Sequence, residues 1–142
     1  MERQLLLDIH IVFNGETVSV KGAGGEVTMI PFAGAAEGPV FRGVVEPCGV
    51  DTQRLDESGA RHVSARYMLT GTDAEGNPAR VFVENEGVYP GGELPWPFPT
   101  RPAFITDSPA LDRALNGQLV VGEGSWQADG LHICFYALGA AD

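Results

Sequence analysis

The sequence predicts an all-β chain, a single antiparallel β-barrel of about 8–10 strands over residues 1–142, with one short helix near residues 108–115. Three observations carry this. Nineteen glycines and ten prolines cut the chain into short segments. Those segments are apolar or β-branched, and many alternate with period two. Antiparallel chains of that kind close or stack, because open edges invite aggregation. Several strands mix polar and apolar residues on both faces, which suits a barrel with a partly polar lumen better than a sandwich around a dry core.

Residues 4–13 read as the first strand, with Leu5, Leu7, Ile9 and Ile11 alternating against Leu6, Asp8, His10 and Val12. Asn14-Gly15 gives a strong hairpin signal, and residues 16–20 start the return. The glycines of residues 21–27 invite comparison with a phosphate loop, which requires a helix N-terminus behind it. A strand-like run, residues 27–32, follows instead, so the glycines read as a turn. Residues 40–45 form a strand stopped by Pro47 and Gly49, and residues 52–55 a short one before the turn at 56–59. Residues 61–70 and 79–84 are the next pair. Residues 88–102 hold five prolines and two glycines. Proline lacks the amide donor of a central strand, so this stretch reads as a surface excursion or lid carrying Tyr89, Trp96 and Phe98. Ser108-Pro109 is an N-cap followed by proline at the first helical position, and Asn116-Gly117 ends that helix. Residues 118–122 and 131–138 close the chain as a hairpin around 125–130.

The formal net charge of −10 repels phosphate backbones and anionic headgroups, which argues against nucleic-acid and membrane partners. Cys48 and Cys134 form neither a disulfide framework nor a C-x-x-C motif. The N-terminus lacks the basic start, long apolar block and cleavage site of a signal peptide. No apolar run approaches the roughly 20 residues of a membrane span. A cytoplasmic location is expected.

The ordered series Glu37-Gly38-Pro39, Gly43, Pro47, Gly49-Val50-Asp51, Gln53, Ala65-Arg66-Tyr67-x-Leu69 and Val83-x-Asn85-x-Gly87, then Thr100, Pro102, Phe104 and Leu115-Asn116, resembles the domain of unknown function 3237 family. The resemblance covers most of the chain and implies a compact antiparallel β-barrel of roughly lipocalin size. It implies no general activity. Two departures stand out. Phe98-Pro99-Thr100-Arg101 replaces the family's Phe-Arg-Thr, and Arg113-Ala114 stands where an aromatic and a Trp usually precede the Leu-Asn pair.

Residues 37–69 hold the densest set of polar groups able to share a cavity: Glu37, Arg42, Asp51, Gln53, Arg66 and Tyr67. Alternation puts Asp51 and Gln53 on one face, and Val63, Ala65, Tyr67 and Leu69 together on one face of the longer strand. A tight turn at 56–59 would bring Asp51 beside Arg66. Such a pair either fixes strand register or leaves a desolvated carboxylate poised for proton transfer. Glu37 is the preferred base, with Asp51, Arg66 and Tyr67 completing the catalytic candidates. Gln53, Arg42, Asn85 and Asn116 are candidates for holding ligand, although Asn85 also suits a turn and Asn116 a helix end. Trp96 and Trp126 are candidates for stacking on it or for plain hydrophobic cover.

His10, His62 and His132 stand on separate strands without metal-ligand spacing, so no metal and no cofactor are expected. No G-x-S-x-G or catalytic cysteine signature occurs. Two function classes remain open. One is a cofactor-independent acid–base enzyme (isomerase, cyclase, hydratase or lyase) acting on a small oxygenated compound. The other is a non-catalytic binding or carrier barrel. A homodimer through the barrel wall stays open, because the strand faces do not distinguish a partner from a flap.

Overall fold

The computed structural model describes residues 2–139. Ten strands and one helix follow in the order β1 (Arg3–Phe13), β2 (Val18–Gly22), β3 (Gly25–Glu37), β4 (Phe41–Val45), β5 (Val50–Leu55), β6 (Arg61–Asp73), β7 (Pro78–Tyr89), β8 (Phe98–Thr106), α1 (Pro109–Asn116), β9 (Val120–Gln127) and β10 (Gly130–Leu138). Every pairing is antiparallel. The first strand pairs with both β10 and β3, which closes the sheet.

The ten strands fill eight positions around the barrel. Two positions are shared, and β3 lies between them. Along one edge of β3, β1 pairs with its second half and β2 with its first. Along the other edge, β4 and β5 divide it in the same way and both also pair with β6. Asn14-Gly15 therefore does not reverse the chain, contrary to the hairpin expected there. The chain runs on past it in the same direction, and the turn comes later, where Gly22 pairs with Gly25. Turn propensity is local, and here the longer partner strand overrides it.

The proline-rich stretch also departs from expectation. Residues 90–97 form a loop, but Phe98–Thr106 is a barrel strand. Its prolines sit where pairing has ended. β8 pairs with β9 over residues 98–100 and with β7 over residues 101–106. The Pro99 carbonyl accepts a hydrogen bond from Tyr89, so Pro99 turns its missing donor toward β7, beyond the last β7 pair. Pro102, three residues on, faces the opposite way, beyond the last β9 pair.

The helix forms where its cap and proline place it. Ser108 accepts from the Leu111 amide and donates to Asp73 Oδ2 at 2.7 Å. Leu111 and Leu115 are buried and close one end of the barrel, together with inward Leu7, Phe41, Leu69, Val81, Val83, Phe104 and Phe135. The opposite end, where the 56–60 turn, the 90–97 loop and the β9–β10 turn meet, is the mouth. Among the described residues, no helix is long and apolar enough to cross a membrane.

Candidate functional site

The upper half of the barrel is hollow, with a cavity of about 180 Å³. Its walls are apolar: Ile11, Ile30, Phe32, Val63, Ala65, Leu131 and Ile133. Phe13, Leu94, Trp96, Phe98 and Trp126 stand around the mouth. Trp96 packs edge-on to Phe98 with ring centroids 5.0 Å apart, and lies 5.9 Å from Trp126. Both indoles are more than half exposed, so this rim is a cover rather than core.

Five polar side chains line the hollow: Asp51, Gln53, Tyr67, Asn85 and Thr100. The Tyr67 hydroxyl, Asn85 Oδ1 and Thr100 Oγ1 are buried without a hydrogen-bond partner. Unpartnered buried polar groups are rare and each costs about 1–3 kcal/mol. Three of them line one apolar space and leave hydrogen bonds unmade there. Burial drives the Tyr67 phenol far above its usual range, so it stays protonated and can donate.

Space for these groups comes from glycine on the facing strand. A Cβ at Gly122 would collide with Thr100 Oγ1, and one at Gly124 with the Phe98 ring. Gly87 in the same way leaves room for the Tyr89 hydroxyl.

Asp51 is held by a relay. Arg61 Nη1 donates to Gln53 Oε1 at 3.1 Å, and Gln53 Nε2 donates to Asp51 Oδ2 at 2.9 Å. Because arginine can only donate, it fixes the Gln53 amide with its NH₂ toward the carboxylate. Arg61 Nε also donates to the Gly92 carbonyl at 2.6 Å, tying the mouth loop to the same relay. Burial pushes the Asp51 carboxyl above the usual range, against the opposing hydrogen bond from Gln53. Burial, followed by the charge of Asp51, pushes Tyr89 up to about 12.

Of the residues singled out from the sequence, Asp51, Gln53, Tyr67, Asn85, Trp96 and Trp126 come together here. Four do not. Arg66 pairs with Val50, one position off from the Asp51–Ala65 pair, so it points outward. Its side chain is 62% exposed and meets Glu84 Oε2 at 2.8 Å. Glu37 is exposed at the far end of β3, opposite Asp8. Arg42 is exposed on β4. Asn116 Nδ2 donates to the Phe104 carbonyl and to Asp112, fastening α1 to β8 at the closed end. The sequence does not single out Thr100, Leu94 or Arg61 as site residues, and it places Phe98 only on a lid. Thr100 and Phe98 share one face of β8, an alternation concealed by the prolines between and around them.

The histidines do not stand alone. His10 and His132 face each other across β1 and β10, with rings stacked at 4.8 Å. His132 is buried, and both its ring nitrogens meet carboxylates at 2.7 Å, Asp8 at Nδ1 and Asp129 at Nε2. Burial lowers the affinity of this ring for a proton, but the two carboxylates together outweigh it and raise its pKa.

The model of the family described as "Protein of unknown function (DUF3237)" matches residues 2–138. The chain belongs to this family. The barrel agrees with solved structures. A protein with unknown function from Clostridium acetobutylicum superposes with a TM-score of 0.75 at 24% identity, over 98% of this chain and 100% of that one. A beta-barrel like protein from Acinetobacter baumannii gives 0.73 at 22% identity, over 98% of each. A conserved protein of unknown function from Rhodopseudomonas palustris gives 0.72 at 26% identity, over 96% of each. No curated protein matches the chain. The fold is thus shared along the length of the chain, and none of these three proteins is described by an activity.

Proposed function

We propose that the barrel binds a small, uncharged, oxygen-bearing molecule through its mouth, and that Asp51 moves a proton on that molecule. The observation that carries the reading is the set of three unpartnered polar atoms, on Tyr67, Asn85 and Thr100, around one apolar hollow. A donor phenol and an amide oxygen suit a ligand carrying both a carbonyl or ether oxygen and a hydroxyl. The size supports a single substituted ring, since a cavity of about 150 Å³ holds a benzene. Charge supports a neutral ligand. Asp51 is the one carboxylate that lines the hollow, and no basic side chain does so among the described residues.

Asp51 lines the hollow level with Ile30 and Ala65, and its raised pKa and fixed orientation suit a general base or acid. Tyr67 would hydrogen-bond the oxygen on which negative charge develops. The chemistry that follows is isomerisation, cyclisation, hydration or elimination, with Asp51 taking a proton from one atom and returning it to another.

The experiment is a panel of enones, lactones and hydroxy-ketones, followed by quenching of Trp96 and Trp126 fluorescence for binding and by product formation for turnover. Asp51→Asn is expected to retain binding within a few-fold and to lose about 10²–10⁴-fold in turnover, the usual contribution of one acid–base group. Binding to wild type without turnover of any compound would reduce the protein to a carrier. Binding unaffected by Tyr67→Phe, Asn85→Ala and Thr100→Val would remove the site altogether.

A further inference from the structure

We propose that His10, Asp129 and His132 form a binding site for one divalent transition-metal ion on the outer wall of the barrel, with Asp8 orienting His132. The site is independent of the lumen. Ile9, Ile11, Leu131 and Ile133 point inward, so strand alternation sends His10 and His132 outward.

The geometry comes from three elements converging at the seam between the first and last strands. His10 and His132 are direct cross-strand partners on β1 and β10. Their stacked rings lie 16° from parallel. Asp129 sits in the tight turn between β9 and β10, where Gln127 pairs with Gly130. From there its Oδ1 reaches His132 Nε2 at 2.7 Å, and its carbonyl oxygen meets His10 Nε2 at 2.8 Å. One ligand atom from each of the three side chains lies within 4.8 Å of the other two. Metal–ligand bonds of about 2.0–2.2 Å require the His10 ring, the less buried of the two, to tilt toward His132 and give up its contact with the Asp129 carbonyl.

The environment of His132 distinguishes this trio from a chance surface group. The side chain is 10% exposed, and its far nitrogen, Nδ1, is bound to Asp8 Oδ1 at 2.7 Å. A histidine ligand that donates its second N–H to a carboxylate is the usual supporting arrangement in metal sites, because the carboxylate fixes the tautomer and makes the ligating nitrogen more basic. The exchange is balanced: the ion forms a bond to His132 Nε2, the proton shared there with Asp129 leaves to solvent, and the Nδ1–H stays on the ring and is donated to Asp8. Two imidazoles and one carboxylate favour Zn²⁺, Co²⁺, Ni²⁺ or Cu²⁺ over Ca²⁺ and Mg²⁺, with water completing the sphere. The ion would tie residue 10 to residue 132 and so staple the seam where the barrel closes.

The test uses tag-free, chelator-treated protein titrated with Zn²⁺ and Co²⁺, with calorimetry for stoichiometry and Co²⁺ visible absorption for the ligand field. One ion per chain is expected, raising the thermal midpoint by roughly 5–10 °C at a hundredfold excess over Kd. His10→Gln and Asp129→Asn should each weaken binding more than tenfold. Neither side chain belongs to the core, and circular dichroism checks that each variant folds. Asp8→Asn should weaken binding by about 10–100-fold through His132. Histidine ring NMR signals of His10 and His132 should move together on titration. Equal affinity for Ca²⁺, binding unchanged in His10→Gln and Asp129→Asn, or ring signals that stay fixed would each overturn the site and leave His132 clamped by a proton alone.

Discussion

Along β10, Phe135 is fully buried in the closed half of the barrel, whereas Ile133 and Leu131, one and two steps nearer the mouth, face an open cavity. The same change occurs on its neighbours. Inward Leu69 gives way to Tyr67 and Ala65 on β6, Val83 to Asn85 on β7, and Phe104 to Thr100 on β8. On β9 the inward positions beside Thr100 and Phe98 are Gly122 and Gly124. Strands β6, β7 and β10 run unbroken through both halves, whereas the position shared by β4 and β5 is broken between them, so on the unbroken strands backbone geometry does not create the hollow. It arises because several inward residues shrink or turn polar at the same height. A helix then plugs the end that is already full, and a loop bearing Trp96 covers the end that is not. On the function proposed above, the lower half serves stability and the upper half recognition, which mutations at matched heights can separate.

The largest effect should come from the closed half. Phe135→Ala removes a buried ring that packs edge-on to Phe104. It is expected to cost about 3–5 kcal/mol in urea unfolding, from lost transfer energy and the cavity left behind. If the two halves share the stability load equally, the loss will fall well below that range and the comparison fails.

Next is the plug itself. Ser108→Ala removes the cap of α1 and the hydrogen bond that Asp73 receives. A loss of about 1–2 kcal/mol is expected by chemical denaturation, with little change in ligand affinity. A large drop in ligand affinity would show that α1 communicates with the lumen.

In the hollow half the sign should reverse. Tyr67→Phe deletes a buried hydroxyl that lacks a partner, so the ligand-free protein should gain about 1 kcal/mol in thermal or urea unfolding. Ligand binding should weaken in the same variant. A stability loss instead would mean that the hydroxyl has a partner in solution.

How far the sequence disclosed this division depends on which physical rule governed each residue. Strand alternation is strict, so Val63, Ala65, Tyr67 and Leu69 were legible as one face, and Asp51 with Gln53 as another. The cap at Ser108 and the proline behind it gave the helix. Register was not legible. Whether Arg66 stands beside Asp51 depends on a pairing offset by one residue, and the realised pair is Asp51 with Ala65. Glu37 and Arg42 fail on facing, as exposed positions beside buried Ala36 and Phe41, and Asn116 fails because nothing in the chain announces which end of the barrel is filled. Prolines hid β8 and therefore Thr100, since a strand whose two edges are paired over different residues tolerates proline where a fully paired strand does not. The histidine pair was invisible for a topological reason: closure brings together β1 and β10, which no local spacing connects.

The smallest change in stability should come from Asp51, and its pH dependence carries the sharpest test. Burial raises the folded-state pKa of this carboxyl above its unfolded value, so the folded protein holds the proton more tightly. Below the unfolded pKa both states are protonated, and the favourable contribution is fully present. As pH rises through the folded pKa, that contribution is lost, because ionising the group beside apolar walls costs more than ionising it in water. Asp51→Asn cannot ionise. The variant should therefore match wild type near pH 4 and exceed it near pH 7, measured as the difference between their urea-unfolding curves across that range. A difference of the opposite sign would mean that the Gln53–Arg61 relay outweighs burial and holds the carboxylate charged. Asp51 would then be a structural partner of Arg61 at the mouth, and the proton-transfer role would have no group left to perform it.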